Sequence, residues 1–158
     1  KSGANYAMAL APTLDAMAQN SAVDQILFAT GGDITETGAA NFFLADNERV
    51  LTRQLDSSFL HGVTRSSVLA LAADLGYEVD ERPIALSELK EWAGRGEAFL
   101  SGTAAVLSPV GTILGGDSDI VFGDGQPGPN TLRLRESLVA IQNGRSDDLH
   151  GWRTTVNS

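Results

Sequence analysis

Between residues 98 and 116 the chain carries no charged side chain. A helix of that length is long enough to cross a bilayer. The segment also contains Gly102, Pro109, Gly111, Gly115 and Gly116, with the hydroxyls of Ser101, Thr103, Ser108 and Thr112. Proline and clustered glycine interrupt a helix, and lipid has no water to satisfy the backbone groups this frees. The segment therefore reads as buried strand and loop, with strand-like pieces at 97–101 and 106–114.

The other elements interleave strands and helices irregularly. Residues 6–18 read as a helix whose Met8, Ala9, Leu10, Leu14 and Met17 cover most of its faces, so it is expected to be largely buried. Pro12 either kinks it or marks its first turn. Short apolar runs at 25–29, 34–36, 41–44 and 49–52 read as strands, with turns at Gly31-Gly32-Asp33 and Asp46-Asn47. A second helix over 64–75 carries Val68, Leu71, Ala72 and Leu75 on one stripe and stops at Gly76. Residues 77–82 alternate like a strand, Ser87 caps a short helix to about residue 93, and 120–122 add a strand. Pro129 or Asn130 opens a last helix closed by Asn143-Gly144, and 149–156 are extended. This order gives one mixed α/β (α+β) domain with a closing sheet rather than a doubly wound one.

Eleven Lys plus Arg against twenty Asp plus Glu give a formal net charge of −9. That excess of anions excludes non-specific binding to nucleic acid or to an anionic membrane. There is no cysteine, which excludes disulfide scaffolds, zinc fingers, iron–sulfur sites and cysteine nucleophiles. No metal ion is expected.

Four places could carry chemistry. Gly62-Val63-Thr64-Arg65 opens a helix; its free N–H groups suit an anion, and the plainer alternative is an ordinary N-cap by Thr64. Ser101-Gly102-Thr103-Ala104 follows a strand end and offers two hydroxyls for a phosphate, or is simply a turn. Glu36 is a carboxylate in a small-residue strand, either functional or solvent-facing. Lys1 and Lys90 are the only lysines, and Lys90 sits on a solvated helix.

Five segments, in order along the chain, carry a resemblance: KSGANY at 1–6, ITETGAANFF at 34–43, LHGVTRSSVLALA at 60–72, EAFLSGTAAVLSPV at 97–110 and LHGWRTTV at 149–156. Together they resemble the branched-chain amino-acid aminotransferases, fold-type IV enzymes that use pyridoxal 5′-phosphate. The resemblance implies the large C-terminal, cofactor-bearing domain of that fold, a sheet or pseudo-barrel with flanking helices. It implies that Lys1 carries the cofactor through its ε-amine and shuttles a proton. By the same match Glu36 keeps the pyridine nitrogen protonated and Tyr6 bonds the phenolic oxygen. Val63 and Thr64 offer backbone N–H groups to the phosphate, and Thr103 offers its hydroxyl. Ala39 and Ala104 stand where the backbone meets the substrate carboxylate. These types suit the chemistry: a nucleophilic amine, an anion beside a pyridinium, and several donors for a phosphate dianion.

The implied reaction is transfer of the amino group of Leu, Ile or Val to 2-oxoglutarate, in a cytoplasmic homodimer whose partners are amino acids and 2-oxo acids. The family's N-terminal domain, with a phosphate-contacting Arg and much of the substrate pocket, precedes the lysine, so residues 1–158 are expected to be the C-terminal half. His61, Ala4, Ala39-Ala40 and Pro12 depart from the family pattern. D-amino-acid aminotransferase, aminodeoxychorismate lyase and a catalytically silent binding or assembly domain are the competing readings.

Overall fold

The computed structural model describes residues 3–58, 60–115 and 118–156. Lys1 lies outside the described residues. In chain order the elements are α1 (Gly3–Gln19), β1 (Leu27–Thr30), β2 (Asp33–Thr37), β3 (Asn41–Ala45), β4 (Arg49–Thr52), α2 (Val63–Asp74), β5 (Glu78–Glu81) and β6 (Ile84–Ala85). They continue through α3 (Leu89–Ala93), β7 (Glu97–Gly102), β8 (Val106–Val110), β9 (Thr112–Ile113), β10 (Ile120–Val121) and α4 (Pro129–Gln142).

The sheet runs β1-β2-β3-β4-β5, with β6 on β2, β7 on β3 and β8 on β7. Its pairings are antiparallel except β4–β5, which are parallel and joined through α2. Tight turns favour antiparallel neighbours, and a parallel pair needs a crossover. Asp46 makes one such turn, its Oδ1 accepting the N–H groups of Glu48 and Arg49 at 3.0 and 2.8 Å.

Strands β3 and β7 are central and covered on both faces. Phe43 and Phe99 lie opposite each other and stack at 4.9 Å. With Val68, Leu71, Leu134 and Leu138 they form one core, under α2 and α4. Phe42, Leu44 and Leu100 point the other way, into a second core with Ile34, Ile84, Leu89, Trp92 and Phe122. Burial on both faces is why 98–101 carry no charge.

The structure corrects four expectations. Helix α1 is not largely buried: Ala9 packs inside, while Met8, Leu10 and Leu14 are 75%, 58% and 55% exposed. Apolar composition alone cannot bury a helix that lies on the outside of the described domain. Pro12 lies within it. The strand expected at 106–114 is broken at Gly111, where the backbone passes so close to Gly125 O that a Cβ would collide. The short helix is not capped by Ser87: Leu86–Glu88 make a 3₁₀ turn, and the Glu88 carboxylate accepts the Ala85 N–H at 3.0 Å. Residues 149–156 are not extended throughout: they turn at 149–150, where the Gly151 N–H donates to Asp148 O at 3.4 Å. They lie as a tail against the end of α2, with His150 Nε2 2.7 Å from Asp74 Oδ2 and His150 stacked on Trp152.

Candidate active site

One end of the sheet gathers the chemistry. Thr37, the last residue of β2, closes the turn into β3: its Oγ1 donates to Ala40 O at 3.1 Å and accepts the Ala40 and Ala39 N–H groups at 3.0 and 3.4 Å. Gly38, inside this turn, presses on Ala9 of α1, leaving no space for a side chain. Tyr6 precedes Ala9 by one helical turn, which puts it on the face of α1 that meets the turn.

The register then sets a row across three strands, Glu36 opposite Asn41 and Asn41 opposite Ser101. Directly opposed residues share a face. Glu36 is not the solvent-facing residue of the plainer alternative. It is half-buried, and loss of water pushes its pKa to about 7, a backbone hydrogen bond from Leu60 pulling the other way. Such a carboxylate gains most from a cationic N–H partner. Ser101 is buried, and its Oγ has no hydrogen-bond partner among the described residues.

The start of α2 joins this row through Asn41. Its Nδ2 donates to Leu60 O at 3.1 Å and, at the long limit of 3.5 Å, to Glu36 Oε2. Gly62, not Thr64, is the N-cap of α2, with extended φ and ψ of −69° and 133° and no side-chain cap. The first intrahelical bond runs from Ser66 N–H to Gly62 O. The N–H groups of Val63, Thr64 and Arg65 therefore have no acceptor within the helix. Val63 is 84% exposed. Uncapped N–H groups and the positive end of the helix dipole form an anion site. Arg65 does not add its charge there: it is 2% exposed, and its Nη2 donates to Arg53 O at 2.8 Å and Glu81 Oε2 at 2.5 Å.

Thr103 and Ala104 are exposed in the β7–β8 turn, which lies beside the β2–β3 turn: a Cβ on Gly102 would sit 3.6 Å from Ala39 O. Val106, at the far end of the turn, holds φ at 60°. That is an unfavourable backbone for a β-branched residue, and such strain concentrates at ligand loops. His61 ties its own loop, with Nε2 2.9 Å from Asp56 O.

The structure thus brings Glu36, Ala39, Val63 and the 103–104 turn to one end of the sheet. Tyr6 borders it, and Lys1 lies outside the described residues. Sequence reasoning missed Asn41 and Thr37, and it offered the Ser101 hydroxyl without showing that it is buried; the signal for Asn41 was its place just past the tight turn after Glu36. A cavity of about 620 Å³ lies on the other side of the sheet, between Ala16, Val23, Phe42, Leu100 and Ile113, and holds none of the proposed cofactor contacts.

The residues fit a pyridine ring bearing a phosphate. A desolvated carboxylate suits a protonated ring nitrogen, and an uncapped helix start suits a phosphate. The orphaned Ser101 hydroxyl lies on the same row.

The fold and the ordered segments recur in known proteins. The sequence pattern of the family described as amino-transferase class IV matches residues 3–113. A probable branched-chain-amino-acid aminotransferase of Staphylococcus epidermidis is 40% identical over 99% of this chain and 45% of its own length. The branched-chain-amino-acid aminotransferase of Mycolicibacterium smegmatis is 38% identical with the same coverage. A branched-chain amino acid aminotransferase from T.th., solved with N-(5′-phosphopyridoxyl)-L-glutamate, superposes with a TM-score of 0.83 at 33% identity, over 99% of this chain and 50% of that one. The Escherichia coli enzyme also gives 0.83, at 30% identity over the same shares of the two chains. The chain spans about half the length of the relatives it matches. No described helix is long and apolar enough to cross a membrane. With the fold, the ordered segments and the class pattern in agreement, this chain belongs to the class IV aminotransferase family.

Proposed function

We propose that the chain is the C-terminal, cofactor-bearing half of a pyridoxal-phosphate-dependent transaminase that moves the amino group of Leu, Ile or Val to 2-oxoglutarate. The observation that carries this reading is that one side chain, Asn41, touches both the Glu36 carboxylate and the loop entering the uncapped helix α2. The names of its relatives supply the substrate class.

When bound, pyridoxal 5′-phosphate supplies a carbonyl that exchanges with substrate amines and a ring that accepts the electron pair left at the substrate Cα. The chain's own groups do the rest. Val63 and Thr64 N–H groups and the Thr103 hydroxyl bind the phosphate. Glu36 holds a proton at the ring nitrogen. Tyr6 donates to the phenolic oxygen, and backbone groups at Ala39 and Ala104 orient the substrate carboxylate. Lys1 would anchor the cofactor through its ε-amine and would move the proton at the substrate Cα.

The missing half of the relatives' length would supply the rest of the pocket. The exposed Met8, Leu10 and Leu14 of α1 support a further layer packing there, and a homodimer in the cytoplasm is the setting that goes with this reading. The test is an assay of the complete protein with Leu, D-Ala and aminodeoxychorismate. Transfer from Leu is expected; turnover of D-Ala or aminodeoxychorismate alone would move the protein to a sister activity, and none at all would leave a binding or assembly role.

A further inference from the structure

We infer that Asn41 is a positioning residue of this site: its amide fixes the distance between the Glu36 carboxylate and the uncapped start of α2, so that one ligand with a cationic ring nitrogen and a phosphate is held at both ends at once. The inference rests on the proposed cofactor reading and goes beyond it, since Asn41 need not touch the cofactor.

Asn41 is 6% exposed and is the middle member of the Glu36–Asn41–Ser101 row. Its main-chain groups serve the sheet, while its side chain serves the site. Nδ2 donates one hydrogen to Leu60 O, 3.1 Å from the nitrogen, and the other to Glu36 Oε2, 3.5 Å from it. On the other side, Oδ1 fills the place a Gly62 side chain would need. The amide is thus a spacer between a β-strand residue and a helix cap, elements that the backbone joins only through the long path 42–61. Shorter side chains cannot reach both acceptors, Asp cannot donate to either, and Gln has no room against Gly62.

Holding two anchors at a fixed separation makes the second contact intramolecular once the first has formed. If the anchors drift, each still binds, but the gain from joining them is lost. The phosphate's contribution to affinity should therefore depend on Asn41, although Asn41 does not bind phosphate.

The experiment uses the complete protein stripped of cofactor and titrates it with pyridoxal 5′-phosphate and, separately, pyridoxal. The readout is the ratio of the two affinities, which cancels the shared covalent anchor and any general loss of folded protein. Asn41→Ala and Asn41→Asp should each lower the ratio by about tenfold or more. Gly62→Ala removes no functional side chain and pushes its Cβ against Asn41 Oδ1, so it should do the same. Combined with Asn41→Ala it should add nothing, because the group it displaces is gone. An unchanged ratio in Gly62→Ala and in whichever Asn41 variant folds, even with lowered melting temperature, reduces Asn41 to a structural residue and overturns the inference. Wild-type protein that binds pyridoxal as tightly as the phosphate ester overturns the cofactor reading itself, and this inference with it.

Discussion

Glu97, the first residue of β7, caps helix α4 through Asn130. Its Oε1 accepts the N–H and Nδ2 groups of Asn130, both at 2.8 Å, while its Oε2 accepts the N–H and Oγ1 groups of Thr131 at 2.9 and 2.8 Å. Tyr77 completes the anchor by donating to Asn130 Oδ1 at 2.7 Å. An anion at a helix N-terminus meets both the free N–H groups and the dipole. Glu97→Ala should destabilise the protein by roughly 2–3 kcal/mol, and Glu97→Gln by less, since it keeps one acceptor oxygen. Urea midpoints measure both. A wild-type midpoint in Glu97→Ala would show that the cap contributes nothing.

Arg65 makes the second structural prediction. It is buried with its charge, and Glu81, 43% exposed, is its ion-pair partner at 2.5 Å. Removing one member of a buried pair is worse than removing both. Arg65→Met with Glu81→Leu should therefore be closer to wild type than Glu81→Leu alone, which takes from the buried guanidinium its only carboxylate partner among the described residues. The denaturation midpoints of the single and double variants check the order.

Much of this was legible in the residues. Residues 98–102 of the uncharged run did become part of the central strand β7, because a strand buried on both faces has no place for a charge. The helix start at Val63 and the carboxylate at Glu36 stood out locally, and the structure brings them together. What stayed hidden depends on contacts distant in sequence. Glu97 caps a helix 33 residues on, and Asn41 bridges to Leu60 across 19 residues; neither contact leaves a local pattern. Helix α1 failed for the converse reason. Its composition shows that its surface is apolar, but not whether a neighbouring element covers it.

The Glu36 carboxyl has a folded pKa near 7 against an ordinary value of 4.5. The cofactor-free folded state thus holds this proton more tightly than the unfolded state does. Its stabilising contribution is full below 4.5 and is lost as pH rises through 7. Glu36→Gln, which mimics the protonated form, should lose less stability than wild type between about pH 4.5 and about pH 7.5. Parallel profiles from urea melts of the apoprotein would contradict this. In the loaded protein the same substitution should cut turnover by about 10²–10³-fold, since no anion then holds the ring proton.

Thr103 is exposed in the β7–β8 turn, beside the Ala39 turn. If its hydroxyl meets the phosphate, Thr103→Val should weaken cofactor retention by about 1–3 kcal/mol, a lost charge-assisted hydrogen bond. Folding should be little changed. Equilibrium dialysis with pyridoxal 5′-phosphate measures the loss, and undiminished retention removes Thr103 from the site.

The cofactor reading is tested most directly by where pyridoxal 5′-phosphate attaches. The complete protein, loaded and then reduced with borohydride, should carry the pyridoxyl phosphate group on Lys1, as peptide mass mapping would read it. A label on Lys90, or none on either lysine, would contradict the assignment of this chain as the cofactor-bearing half.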